Sequence, residues 1–444
     1  MTPLLGTAIT VVQLLLIGSL FTPPVHGFTA LFPSFGNQRT LNLLKPPSDA
    51  VNGVSPTSPS TVSPTATTTT SLGALPRRRG ILGGLLGGAF AAGGGTKEQK
   101  VASAAAAPPS TSSLVADLPM ERIQLPPAGL GRDYVAIPLK IKGQGPFTFM
   151  LDTGLTTEMI TPHLQQSLGI GIDAKRSIAG LAAGGATSNA LVDLTDASLC
   201  CGTIDGGNRD EMPLPPLHAV ITDFPQEHID PKHDPVEGML GMEVLSLFDV
   251  EFDFPKGRVR FWKPGTADTK GLTEIPAVVI NETGLIGIRV NVPGGKQPIL
   301  GFLDCGATFS CMNWKAAAQL GLPADKKDPI YRKGPAVQAI GIDGQPLVLP
   351  TVQQALTFAG EVQTDPSTGR PVGFSPPPSG WKDWSPVQVG IGDISAFSTI
   401  LGDGVRPYDG PAALIGLDIL AQRKVILQAG TDRTRRRRVF VSPK

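Results

Sequence analysis

Phe149-Met150-Leu151-Asp152-Thr153-Gly154-Leu155-Thr156 occurs a second time in this 444-residue chain, as Gly301-Phe302-Leu303-Asp304-Cys305-Gly306-Ala307-Thr308. At a shift of 152 positions Leu, Asp, Gly and Thr fall on identical residues, Pro146 falls on Pro298, and Leu168-Gly169 falls on Leu320-Gly321. Each copy reads as an apolar strand ending in Asp-x-Gly, then a polar loop, then a short helix stopped by glycine. An aspartate behind an apolar run is costly to bury unless it is hydrogen-bonded or paired. Two such loops in one chain suggest that each aspartate's partner is the other.

The flanks repeat as well. Val135, Ile137, Leu139 and Ile141 alternate along a half-buried strand, Gly143-Gln144-Gly145 turns it, and Phe147–Leu151 returns to Asp152. In the second copy Ile288, Val290 and Val292 alternate, Pro293-Gly294-Gly295 turns, and Ile299–Leu303 leads to Asp304. Pro162–Leu168 and Asn313–Leu320 are the predicted helices. Glycine-rich stretches follow, at Ala179–Thr187 and at Ile340–Gln345, where Asp343-Gly344 is a hairpin signal. Each is a candidate flap over a cleft or an ordinary surface hairpin.

A second shared block closes each half. Leu240-Gly241-Met242-Glu243 precedes a hairpin, Val250–Phe254 with Arg258–Trp262; Ile415-Gly416-Leu417-Asp418 precedes another, Val425–Leu427 with Val439–Val441. Here the shift is 175, so the second half carries 23 extra residues, with Glu361–Trp384 as the site of much of that insertion. Periods this long mean domain duplication, not a solenoid. The fold class expected is mainly β, as two lobes over 118–265 and 266–444 with folding starting near Leu118, after a disordered N-terminal region.

Composition narrows the function. A formal net charge of +1 gives no electrostatic case for nucleic acid or an anionic membrane surface. Four cysteines, Cys200, Cys201, Cys305 and Cys311, are too few for a disulfide scaffold and match no zinc spacing. His218, His228 and His233 lie among acidic residues, but their spacing fits no familiar metal site, and a solvated acidic loop is the simpler reading. Arg435–Arg438, between two apolar strands, reads as a charged hairpin tip. Asn281-Glu282-Thr283 is a glycosylation sequon that matters only in a secretory lumen.

Two copies of apolar–apolar–Asp-x-Gly, each followed by a glycine hairpin and an apolar–apolar–Gly block, resemble the retropepsin-like aspartic proteases over about residues 121–444. The resemblance implies two retropepsin-like β-barrel lobes in one chain, a monomer with an internal pseudo-twofold. It implies an aspartic endopeptidase with Asp152 and Asp304 as catalytic residues, and Thr153, Gly154, Thr156, Cys305, Gly306 and Thr308 in the active-site loops. Leu240-Gly241 and Ile415-Gly416 would pack across those loops. The substrate would be a polypeptide, with no metal or other cofactor. Amide hydrolysis without a covalent intermediate needs one base and one acid. Aspartic proteases are the type case of two carboxylates about 3 Å apart that share a proton, and the resemblance carries that pattern over.

Two positions depart from the family pattern. Cys305 stands where Thr153 has its counterpart, and a thiol reproduces only part of a hydroxyl brace between the loops. Leu155 stands where the family has a small residue, and is bulky beside the aspartates. The alternative reading is therefore a weak or inactive protease-like fold that binds extended peptides without cutting them. A third is a non-catalytic, membrane-anchored lumenal protein.

The N-terminal hundred residues are of another kind. An apolar run over residues 4–21 with a cut expected after Gly27 reads as a signal peptide, 1–27, or as an uncleaved membrane anchor. From 28 to 117 the chain reads as a transit or linker region. Its Ser/Thr/Pro-rich 55–71 cannot bury a core. Phe28 at the cut and an acid-poor, hydroxyl-rich stretch resemble the bipartite plastid presequence of algae with secondary plastids; a mucin-like stalk on a secreted protein is the alternative. Arg77-Arg78-Arg79, a weakly apolar segment and Ala102-Ser103-Ala104 resemble a Tat-type signal over 77–104, which implies the thylakoid lumen, or form a low-complexity linker.

Overall fold

The computed structural model describes residues 113–444 except 126–129, 174–175, 182–185, 201–210, 224–225, 227–231, 281–283, 341–345, 403–405, 431–436 and 444, together with the backbone of 10–13 and 18–19. Nearly all of the presequence, the sequon, Cys201, His228 and the tips of both glycine-rich hairpins lie outside these residues. Among the described residues no helix is long and apolar enough to cross a membrane.

The fold is mainly β, with curled sheets. In the first lobe Tyr134–Ile141 pairs antiparallel with Gln144–Leu151, turned by Lys142 and Gly143, both in the left-handed region. The strand expected from its alternation is buried at Val135, Ile137, Leu139 and Ile141. Val236–Leu240 then inserts parallel to Gln144–Leu151 and antiparallel to Glu158–Ile160. Leu217–Ile221, Ala186–Leu194 and Ser177–Leu181 continue the sheet outward. The insertion of Val236–Leu240 sets Leu240, the residue before Gly241, opposite Leu151, the residue before Asp152.

The second lobe repeats this order strand for strand. Ile286–Asn291, Ile299–Leu303, Ala412–Ile415, Cys311–Met312, Val387–Ile391, Pro346–Gln354 and Ala336–Ile340 lie side by side in that sequence. Ile415 lies opposite Leu303, as Leu240 lies opposite Leu151. The helices form as read, at Pro162–Ser167 and Trp314–Gln319, N-capped by the side chains of Thr161 and Asn313. Both caps also sit at the 152 shift.

A six-stranded sheet joins the lobes. Asp249–Asp253 of the first pairs antiparallel with Val425–Gln428 of the second, flanked by Arg258–Trp262 and Leu114–Pro119 on one side and by Arg438–Val441 and Thr273–Ile275 on the other. Ladder hydrogen bonds at this seam satisfy backbone groups that either lobe alone would leave open. Buried carboxylates reinforce it. Asp249 accepts from the amides of Gly265, Thr266, Ala267 and Ala429, and Glu251 meets Arg260 at 2.7 Å and Lys424 of the second lobe at 2.9 Å. Near the expected start at Leu118, Leu114–Pro119 is the edge strand against Arg258–Trp262.

The insertion has its own anchor. Val362–Thr364 and Pro371–Phe374 make a small hairpin, and Trp381 and Trp384 close edge to face at 5.2 Å. Beside them lies Arg423, 2 % exposed, its guanidinium 4.2 Å from the Trp381 ring and donating to the carbonyls of Lys382 and Asp383. At the first lobe's edge, the backbone of Gly18–Ser19 pairs with Gly180–Leu181, and that of Thr10–Gln13 runs beside Val337–Ile340 of the second.

Candidate active site

The structure brings Asp152 and Asp304 together. Each ends a buried strand, is held by its own amide to the glycine-block strand, and turns its carboxyl toward the other lobe. Asp152 N donates to Leu240 O and Asp304 N to Ile415 O, both at 3.0 Å. Gly154 N donates to Asp152 Oδ1 and Gly306 N to Asp304 Oδ1, both at 2.8 Å. The two carboxyls lie next to each other and interact directly, and Asp304 Oδ2 has no hydrogen-bond donor among the described residues. A Cβ on Gly154 would lie 2.7 Å from Asp304 Cγ, and one on Gly306 would lie 2.3 Å from Asp152 Cγ. Only glycine lets the loops close to this distance.

Both carboxyls are buried, Asp152 at 1 % exposure and Asp304 at 0 %. Burial pushes both upward, Asp152 to about 7, and the charge of Asp152 adds to the rise at Asp304. Two amides donating to each carboxyl loop work in the opposite direction without reversing it. The pair therefore holds a proton well above the ordinary carboxylate range.

The brace between the loops is complete on both sides. Thr153 Oγ1 donates to Leu303 O at 2.9 Å and accepts from Cys305 N at 3.0 Å. Cys305 Sγ donates to Leu151 O at 3.1 Å. The thiol thus occupies the counterpart of the Thr153 hydroxyl position, in a wall shared with Phe252, Phe254, Leu420, Val425 and Leu427. Burial keeps it protonated, so it acts as a donor and not as a thiolate.

Leu155 requires a correction. It does not crowd the aspartates. Its side chain is buried in the first lobe's own cluster with Ile123, Tyr134, Met150, Met159 and Met239. Ala307 fills the equivalent place in the second lobe's core. The lobes differ in what lies behind the loop.

Gly241 and Gly416 each begin a short helix and lie against the loops: Met242 N donates to Leu155 O at 2.7 Å and Leu417 N to Ala307 O at 2.8 Å. Thr308 is fully buried and its carbonyl accepts from Arg132 N at 2.9 Å, so the first lobe's entry loop reaches the second lobe's site; Thr156 is partly exposed. The stems of both glycine-rich hairpins are present, Ser177–Leu181 with Ala186–Leu194 and Ala336–Ile340 with Pro346–Gln354. His218 and His233 do not come together; the first pairs with Glu243 and the second with its neighbour's carbonyl.

Behind the loops lie polar residues that the Asp-x-Gly motifs do not include. Ser310 Oγ donates to Asp418 Oδ1 at 2.6 Å, and Ser310 N donates to Asp418 Oδ2 at 3.0 Å. In the first lobe Glu158 and Glu243 take these places. The signal was available: a polar residue in an otherwise apolar short strand, matched at the same shifts of 152 and 175.

Residues 137–244 match the model of the aspartyl protease family. The first lobe is a retropepsin-like aspartyl protease domain. The match spans the Asp152 loop, the hairpin stem and the Leu240-Gly241 block of this aspartyl protease lobe. No curated protein matches the chain.

Proposed function

We propose that the chain is an aspartic endopeptidase whose two lobes each supply one member of an Asp152/Asp304 dyad. One observation carries the reading: two buried, adjacent carboxyls, each lying against the glycine of the other's loop. In this reading one carboxyl is ionised and the other protonated. The ionised one takes a proton from a water as its oxygen adds to the substrate carbonyl, and the protonated one gives its proton to the carbonyl oxygen. Proton return to the amide nitrogen breaks the C–N bond and releases an acid and an amine. Gly154 N and Gly306 N fix the inner oxygens, so the carboxyls need no rearrangement as charge develops. The two hairpin stems offer backbone to an extended peptide, which suits substrate binding by strand addition. Both aspartates come from one chain, so the active form is a monomer.

The test is cleavage of a peptide library by the full chain at acid and neutral pH, with and without a transition-state-mimicking inhibitor. Inhibitable cleavage is expected. Peptide binding without cleavage at any pH would replace the protease with a binding scaffold. We further propose that the N-terminal hundred residues carry the chain into a plastid, and from there to the thylakoid lumen. The reading rests on Phe28, the acid-poor stretch after it and the twin-arginine segment. A fluorescent fusion of the full chain found on the cell surface, in the medium or on another membrane would overturn it.

A further inference from the structure

The loop of Asp152 is tied to the segment after Leu240 at three points: Asp152 N to Leu240 O, Met242 N to Leu155 O, and Val244 N to Glu158 Oε1 at 3.0 Å. The loop of Asp304 has the same first two ties. The third differs in chemistry. The second lobe closes it with a hydroxyl and one carboxylate, Ser310 and Asp418, and Gly416 N donates to the same hydroxyl at 3.0 Å. The first lobe closes it with two carboxyls. Glu158 is 0 % exposed, its Oε2 finds no hydrogen-bond partner among the described residues, and its Oε1 is held by Val244 N, next on the chain to Glu243, whose carboxyl acts on it.

We infer that Glu158 and Glu243 form a proton-dependent clamp that positions the Asp152 loop, closed when the pair holds a proton and loosened when both are ionised. A fully buried carboxylate is costly beside a second, partly exposed one unless a proton or a cation lies between them. Burial and the neighbouring Glu243 both push Glu158 well above the usual range, so the proton resides there at acid pH. The charges around the pair are few. Helix Met242–Leu245 contributes Glu243 itself. Strand Leu217–Ile221 contributes His218, whose Nδ1 lies 2.8 Å from Glu243 Oε1 and whose Nε2 lies 3.8 Å from Asp193 Oδ1. Strand Val236–Leu240 contributes Glu237, already held by Thr161 and His163. Asp193 is bridged by Arg176 at the base of the hairpin stem. His218 is thus the only basic side chain in direct contact with the pair among the described residues. As pH rises the clamp loses its proton.

The inference rests on the protease reading for its kinetic consequence and not for its physical one. The experiment compares the full chain with Glu158→Gln, which donates permanently to Glu243, and with the double variant Glu158→Ser/Glu243→Asp, which installs the second lobe's chemistry. Peptide cleavage and thermal unfolding are both followed from about pH 5 to about pH 8. At acid pH both variants should cleave at near wild-type rate. Toward neutral pH they should lose activity later, with the basic limb moved up by about one pH unit, a gain of about tenfold on that limb. Their unfolding temperature should fall less over the same range. Wild-type pH profiles in both variants, for kcat and for unfolding, would overturn the clamp. If the wild-type chain cleaves nothing, the flatter unfolding profile still decides it, separately from the protease.

Discussion

At the residue scale the dyad sets the sharpest expectations. Asp152→Asn and Asp304→Asn should each abolish cleavage, and each single variant should be as inactive as the double, because the two carboxyls act as one unit. At neutral pH both should unfold at a higher temperature than the wild type. An amide of the same shape removes the repulsion between two buried carboxyls that resist ionisation. Near-wild-type cleavage by Asp304→Asn would make the second lobe structural only and point to a dimer of first lobes. The brace makes a second test. Cys305→Thr should raise stability by roughly 1 kcal/mol, the worth of exchanging a weak thiol donor for a hydroxyl on Leu151 O. The added methyl enters the apolar wall of Phe252, Leu420 and Val425. Loss of both stability and activity would mean that the cavity is fitted to sulfur.

At the scale of elements the insertion is the part that the duplication does not explain. Its tertiary hold is the Arg423 guanidinium, stacked on Trp381 and donating to two successive carbonyls. Arg423→Ala should cost about 1 kcal/mol, because two carbonyls exchange a charged donor for solvent and the Trp381 ring no longer has a cation on its face. The effect should be local as well as global. Limited proteolysis should open the 361–384 segment before any strand of the seam, and an unchanged cleavage pattern would show that the tryptophans suffice. Leu155 and Ala307 teach a related lesson. The repeat keeps the loop and lets each lobe fill its own interior, since core positions tolerate changes of size when their neighbours change with them.

For the whole molecule, four buried acids share one sign. Asp152, Glu158, Asp304 and Asp418 are all pushed upward, Asp418 to about 6, with burial as the first cause each time. In the unfolded chain such groups ionise near 4, at about their ordinary values. Between there and their folded values the native state holds more protons, so raising the pH favours unfolding. Stability from this source is full below about pH 4 and declines through the neutral range. Asp193, Glu211 and Asp365 shift downward and oppose it, but they are exposed to solvent that screens them. The unfolding temperature should therefore be higher near pH 5 than near pH 8, read by differential scanning at fixed ionic strength, and Asp304→Asn should flatten the slope. A rising slope would mean that the pair is not buried in the folded protein. The activity profile should be a bell on the acid side, its limbs lying above those of exposed carboxyls.

The sequence by itself determined the duplication, the strand-turn-strand entry to each aspartate, the helices after them and the glycine blocks. Those features rest on periods of two to four residues and on turn chemistry, which are local and survive without a partner. It also pointed to the pairing of Asp152 with Asp304, because a buried carboxyl demands a partner and the second copy supplied one. The direction of Leu155, the thiol of Cys305 meeting Leu151 O, the seam of Asp249–Asp253 with Val425–Gln428 and the Glu158–Glu243 contact were decided only by the tertiary structure. The residues concerned lie between 86 and 180 positions apart wherever a hydrogen bond joins them. No short period encodes such contacts, which follow from how two curled sheets close on each other once the inserted strand has fixed their register.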